Sequence, residues 1–119
     1  MKQYTTPDQT TKLMELGFEK PKGWNAENIS SRFIMAVDID GDNEFNYSIG
    51  ELIEMLPKEL SLPPYYPPIF IRYEGAWNVL YGEQEDYTWE WSIWYEKKRK
   101  ELIDALYDMV VKLKEEGVI

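Results

Sequence analysis

Neither cysteine nor histidine occurs in this chain, so its fold must be held by apolar burial and backbone hydrogen bonding, without a disulfide framework or a Cys/His zinc site. At 119 residues it is long enough to bury one such core and too short for two independent ones. A hydrophobic content of 44%, with 15% aromatic residues, argues for a folded chain despite a formal net charge of -9. The same absence narrows the chemistry. Histidine is the usual proton carrier near neutral pH and cysteine the strongest side-chain nucleophile, so their joint loss removes many hydrolase, transferase, redox and zinc mechanisms. Ser30, Ser31 and Ser92 have no histidine to activate them, and no glycine-rich phosphate loop occurs. A non-catalytic binding protein without a cofactor is the expectation.

Local signals give an element order. Thr6-Pro7-Asp8-Gln9 has the form of a capping box with proline at the first helical position, and Gly17-Phe18 reads as the stop of a short helix. A loop should follow to about residue 31, and then a strand over 32–39, with Phe33, Met35, Val37 and Ile39 on one face. An acidic turn, Asp40-Gly41-Asp42-Asn43, leads into a second strand at 44–47. Ser48-Ile49-Gly50-Glu51 is another capping box, and Pro57 should end its helix. Four prolines within 61–68 predict an extended polyproline-type crossover. A hairpin is expected from 69–73 and 77–81, and a further strand from the alternation of Tyr87, Trp89, Trp91 and Ile93.

The last helix should run from Trp94 or Glu96 to Glu116, with Leu102, Ala105, Leu106, Met109, Val110 and Leu113 as its apolar stripe. Ile103, Tyr107 and Val111 widen that stripe and suggest a weak dimer face if the chain is not a monomer. Glu96–Lys100 and Asp108–Lys112 have the spacing of supporting ion pairs. The whole reads as one α+β domain over 1–119: an antiparallel sheet of four to five strands with about three helices on one face.

Charge and aromatics supply the candidate surfaces. Asp38, Asp40, Asp42 and Glu44, with a second cluster at Glu83, Glu85 and Asp86, are candidate contacts for a partner with a basic surface. The same acidity opposes direct binding to nucleic acid or anionic lipid. The alternating acids from Asp38 to Glu44 resemble part of a calcium loop, which would make a calcium-stabilised module. Counted from Asp38, however, position twelve is Ile49 and position six Asn43, so no metal is assigned. Tyr65, Tyr66, Trp94 and Tyr95 form an alternative set able to stack on a small ligand or a carbohydrate. Pro63-Pro64-Tyr65-Tyr66 also matches the PPxY pattern bound by WW domains. The opening residues lack the apolar core of a signal peptide, and no stretch approaches the roughly 18 apolar residues of a membrane span, so a cytoplasmic location is expected.

The segments 47–57 (YSIGELIEMLP) and 101–114 (ELIDALYDMVVKLK), with Thr5-Thr6-Pro7-Asp8-Gln9-Thr10, resemble a family of small uncharacterised proteins encoded in prophages and mobile elements of gut bacteria. That family carries no known activity, cofactor or functional residue. The resemblance implies a small accessory or inhibitory protein acting on a host protein.

Overall fold

The computed structural model describes residues 2–21, 46–84 and 90–119. Helix α1 spans Pro7–Glu15, α2 Ile49–Met55 and α3 Leu102–Glu115; strands β1, β2 and β3 span Ile69–Tyr73, Trp77–Gln84 and Trp91–Arg99. Both expected capping boxes form. The Thr6 and Ser48 hydroxyls accept from the backbone of Gln9 and Glu51, whose side chains reach back to the cap residues. Each box contributes about 1 kcal/mol toward holding a helix of fewer than ten residues. α1 and α3 end alike. The N–H of Phe18 reaches Leu13 and that of Val118 reaches Leu113, with Gly17 and Gly117 at φ of 101° and 73°, a left-handed backbone that glycine adopts without a Cβ clash.

The described sheet is antiparallel, ordered β1-β2-β3, and so has three strands where four to five were expected. The strand expected over 32–39, the first half of the one at 44–47, and Tyr87 and Trp89 lie outside the described residues. α3 packs across β2 and β3. Leu106, Met109, Val110 and Leu113 bury completely there with Val79 and Tyr81, and Leu13 of α1 and Leu52 of α2 close the same core. The Tyr81 hydroxyl donates to the Pro57 carbonyl at 2.6 Å and ties the sheet to the end of α2.

Two further expectations are corrected. The last helix begins at Leu102, because Trp91–Arg99 pairs along β2 instead of coiling. Glu96 and Lys100 are therefore not helical neighbours; Arg99 bonds Asp108 at 2.7 Å, and Lys112 bonds Glu116 at 2.8 Å. The proline segment is not an extended crossover. Leu60 N–H donates to Pro67, and Leu62 and Tyr65 exchange backbone hydrogen bonds, so residues 60–67 double back as a small hairpin tipped by the cis Pro63–Pro64 bond. On α3, Ile103 is fully buried, and Tyr107 and Val111 are partly buried against the core.

Two polar clusters fasten the N-terminal segment. Tyr47 N–H donates to the Thr5 hydroxyl, which lies 2.7 Å from that of Thr10, which in turn lies 2.6 Å from the Asn46 side-chain oxygen. Asp104, near the start of α3, accepts from Lys2 at 3.1 Å and Gln9 at 2.9 Å, with Arg99 at 4.0 Å.

Candidate functional site

The face of the sheet away from the helices carries Phe70, Arg72, Trp91 and Ile93, and the register explains how it is built. Along β2, Trp77, Val79 and Tyr81 belong to the helix-side core, so Asn78 and Leu80 point the other way. Leu80 is nonetheless fully buried. What covers it follows from an irregularity. Tyr81 pairs with Tyr95 but Gly82 pairs with Ile93, leaving Trp94 as the extra residue of a β-bulge.

The bulge bends the hairpin. Trp91 pairs with Gln84, four positions beyond Leu80, the partner of Phe70 on β1. In a flat sheet Phe70 and Trp91 would stand roughly 13 Å apart along the strands and about 10 Å across them. Their ring centroids are 4.9 Å apart, edge to face at 84°, and the Arg72 guanidinium carbon lies 5.2 Å from the Trp91 centroid. Trp91, at the start of β3, therefore reaches back toward β1 over the outer face. Gly82 sits at the bend, where a Cβ would come within 2.7 Å of the Ser92 carbonyl oxygen. A second aromatic pair adjoins the bulge: Tyr65, presented by the proline-tipped hairpin, lies 5.6 Å from Trp94 at 46°.

Polar groups lie among these rings. Asn78 donates to Glu96 at 3.1 Å, while its side-chain oxygen is buried without a hydrogen bond. Arg72 stands opposite Asn78 in register, and its buried Nε also lacks a hydrogen bond; the Glu74 carboxylate at 4.0 Å is too distant to supply one. Exposed Tyr65, Phe70 and Ile93 complete the surface. Tryptophan, tyrosine and arginine held over a desolvated centre are the residues that anchor protein interfaces.

The structure sorts the expected site residues. Asp38, Asp40, Asp42, Glu44, Glu85 and Asp86 lie outside the described residues. Glu83 is exposed near the end of β2, opposite Ser92. Tyr65 and Trp94 come together as one pair, and Tyr66 is exposed beside Tyr65. Tyr95 leaves the set: it packs against the core on the other face and donates to Glu116 at 2.6 Å, a bond that raises its pKa. Phe70, Arg72 and Ile93 were not singled out as contact residues. Alternation alone puts Trp91 and Ile93 on the same face as Tyr95, and the bulge that reverses them leaves no mark in it. The PPxY residues are folded into the hairpin, with Tyr65 against Trp94.

Two clefts lie elsewhere. One of about 230 Å³ is lined by Phe18, Tyr47, Glu51 and Met55; burial, with the Glu51 charge adding to it, pushes the Tyr47 pKa up to about 12, and its hydroxyl donates to the Glu19 carbonyl. The other, about 460 Å³ and open, lies between the Tyr73–Trp77 ring pair and Lys100 and Glu101. Among the described residues no group of three acids is placed to hold a metal ion, and no helix is long and apolar enough to cross a membrane.

Comparison with models of protein families, with curated proteins and with solved structures found no match to this chain.

Proposed function

We propose that the chain is a non-catalytic interaction domain that grips a protein partner through the outer face of its sheet. The supporting observation is the Phe70–Trp91 ring contact on the strand face that carries the fully buried Leu80, with the Tyr65–Trp94 pair beside it at the bulge. Rings fixed by packing lose little conformational entropy on binding, which favours a preorganised contact surface. The net charge of -9 selects the class of partner, a protein with a basic surface. Its acids would steer the encounter, and the aromatic face would hold the complex.

Affinity capture from cell lysate with matched variants tests this reading. Replacing Tyr65, Phe70 and Ile93 by Ser should abolish retention of a partner that the parent protein holds, whereas Ile53→Ser on exposed α2 should not. Retention should also weaken from low to physiological ionic strength. A partner retained equally by the triple variant, folded by circular dichroism, would refute the assignment of this face.

A further inference from the structure

We propose that the cleft at the turn end of the β1–β2 hairpin, between the Tyr73–Trp77 ring pair and Lys100 and Glu101, binds a neutral pyranose ring. Tyr73 and Trp77 are the last register pair before the turn, in which the Glu74 N–H donates to Ala76 and Gly75 holds a φ of 74°. Their ring centroids stand 5.3 Å apart, with the planes 56° out of parallel. Trp77 is partly buried against the core and so is fixed, whereas Tyr73 is 62% exposed. On its other side Trp77 pairs with Arg99, which brings the next two residues, Lys100 and Glu101, up beside it. The Arg99–Asp108 ion pair at 2.7 Å pins that junction to α3. The resulting cleft of about 460 Å³ falls within the span of small-molecule sites, about 300–1,000 Å³.

The lining identifies the ligand class. Two rings this close and this far from parallel form a corner and leave no slot, so a flat base or arene cannot be sandwiched between them. A saturated ring with one C–H face suits such a corner, because that face is buried on an aromatic ring while the rim stays in water. The rim meets charges of both signs. The Lys100 ammonium can only donate, and it has no hydrogen bond or ion pair among the described residues. The Glu101 carboxylate can only accept; the backbone N–H of Lys2 donates to one of its oxygens at 2.9 Å, which orients the group and leaves the other oxygen for a ligand. Hydroxyls both donate and accept, so neighbouring ones satisfy the two groups together, whereas an anionic or cationic ligand meets one of them as a like charge. Tyr73 and Trp77 alternate with Arg72 and Asn78, so this cleft lies on the helix side of the sheet and does not depend on the outer face proposed above.

Nuclear magnetic resonance titration of the isotope-labelled chain with the methyl glycosides of glucose, galactose and mannose tests this assignment. At least one of them should shift the Trp77 indole N–H and the Lys100 and Glu101 amides, with a dissociation constant of about 1–10 mM. Tyr73→Ala, at an exposed site, should weaken that binding about tenfold by removing one wall of the corner. Lys100→Met and Glu101→Gln should each weaken it by a similar factor, the loss of a charge-assisted hydrogen bond. Tyr65→Ser, on the proline-tipped hairpin, should bind the glycoside as the parent does, which separates this result from that of the outer face. No shift of those three signals at about 100 mM of any of the glycosides, shifts confined to Trp91 or Trp94, or undiminished binding by a folded Tyr73→Ala would each overturn the proposal.

Discussion

Replacing Leu80 by alanine asks whether the outer face is a packed layer or only a decorated surface. Leu80 is fully buried, yet it stands on the opposite side of β2 from Val79 and Tyr81 and from the core beneath the helices. If Trp91, Phe70 and the bent hairpin form a rigid roof, removing the side chain leaves a cavity that they cannot fill. The cost should then be that of a core truncation, about 3 kcal/mol. For a chain of this size such a loss lowers the melting temperature by about 12 °C. Leu106→Ala, in the main core, sets the scale for full burial, and Ile53→Ala, at a site 42% exposed, sets the scale for a surface change. Urea denaturation followed by tryptophan fluorescence gives all three values on one footing. A cost below about 1 kcal/mol for Leu80→Ala, with Leu106→Ala costing its full amount, would show that the roof collapses freely and would remove the argument for preorganisation.

Three further perturbations test the parts that position the site. Gly82→Ala forces a Cβ to within 2.7 Å of the Ser92 carbonyl oxygen and 3.3 Å of the Ile93 Cα, so it should cost about 1–3 kcal/mol and alter the near-ultraviolet circular dichroism of the tryptophans; a neutral result would place the bend elsewhere. Thr10→Val keeps the shape of the side chain but removes a hydroxyl that can donate to Asn46 or the Thr6 carbonyl and accept from Thr5, so thermal unfolding should report a loss of about 1–3 kcal/mol. For Asp104, burial pushes the pKa up, but hydrogen bonds from Gln9 and Lys2 and the charges of Lys2 and Arg99 outweigh it and hold the carboxyl below its ordinary value. A depressed carboxyl contributes stability that is present above its unfolded pKa and is lost as pH falls through the lower folded one. Asp104→Asn should therefore lower stability at neutral pH and flatten the acid limb of the stability curve below about pH 4; an unchanged acid limb would exclude this carboxylate as its source.

What the sequence made legible were the features written in local residue chemistry. Thr6 with Gln9 and Ser48 with Glu51 announced two helix starts, and Gly17 with Phe18 a stop, because caps act within a few residues of themselves. The Ile69–Tyr73 hairpin was legible from alternation around a short turn. The boundary between β3 and α3 was not. Lys97, Lys98, Arg99 and Lys100 show no apolar period, so nothing local separates a strand end from a helix start, and pairing of Val79, Asn78 and Trp77 with 97–99 decides it. The proline segment misled for a related reason. Prolines favour extended backbone one residue at a time, whereas the Leu62–Tyr65 exchange is a tertiary choice made by the residues on either side.

The candidate site depends on the irregularities that the sequence concealed. Counting back from Tyr95 without a bulge, Ile93 and Trp91 would fall on the helix side of the sheet, under α3. Because Trp94 is the extra residue, Gly82 meets Ile93 and Gln84 meets Trp91, and both side chains change face. One inserted position thus turns a tryptophan to the outer face, where it contacts Arg72 and Phe70, the cross-strand partner of Leu80. The same inserted residue lies against Tyr65, which reaches it only because residues 60–67 fold back on themselves. A chain selected for core stability alone would gain more from burying Trp91 beneath α3 than from holding it at the surface. Its placement outside, supported by a bulge and a glycine with no room for a side chain, is the physical reason for reading this face as the working one.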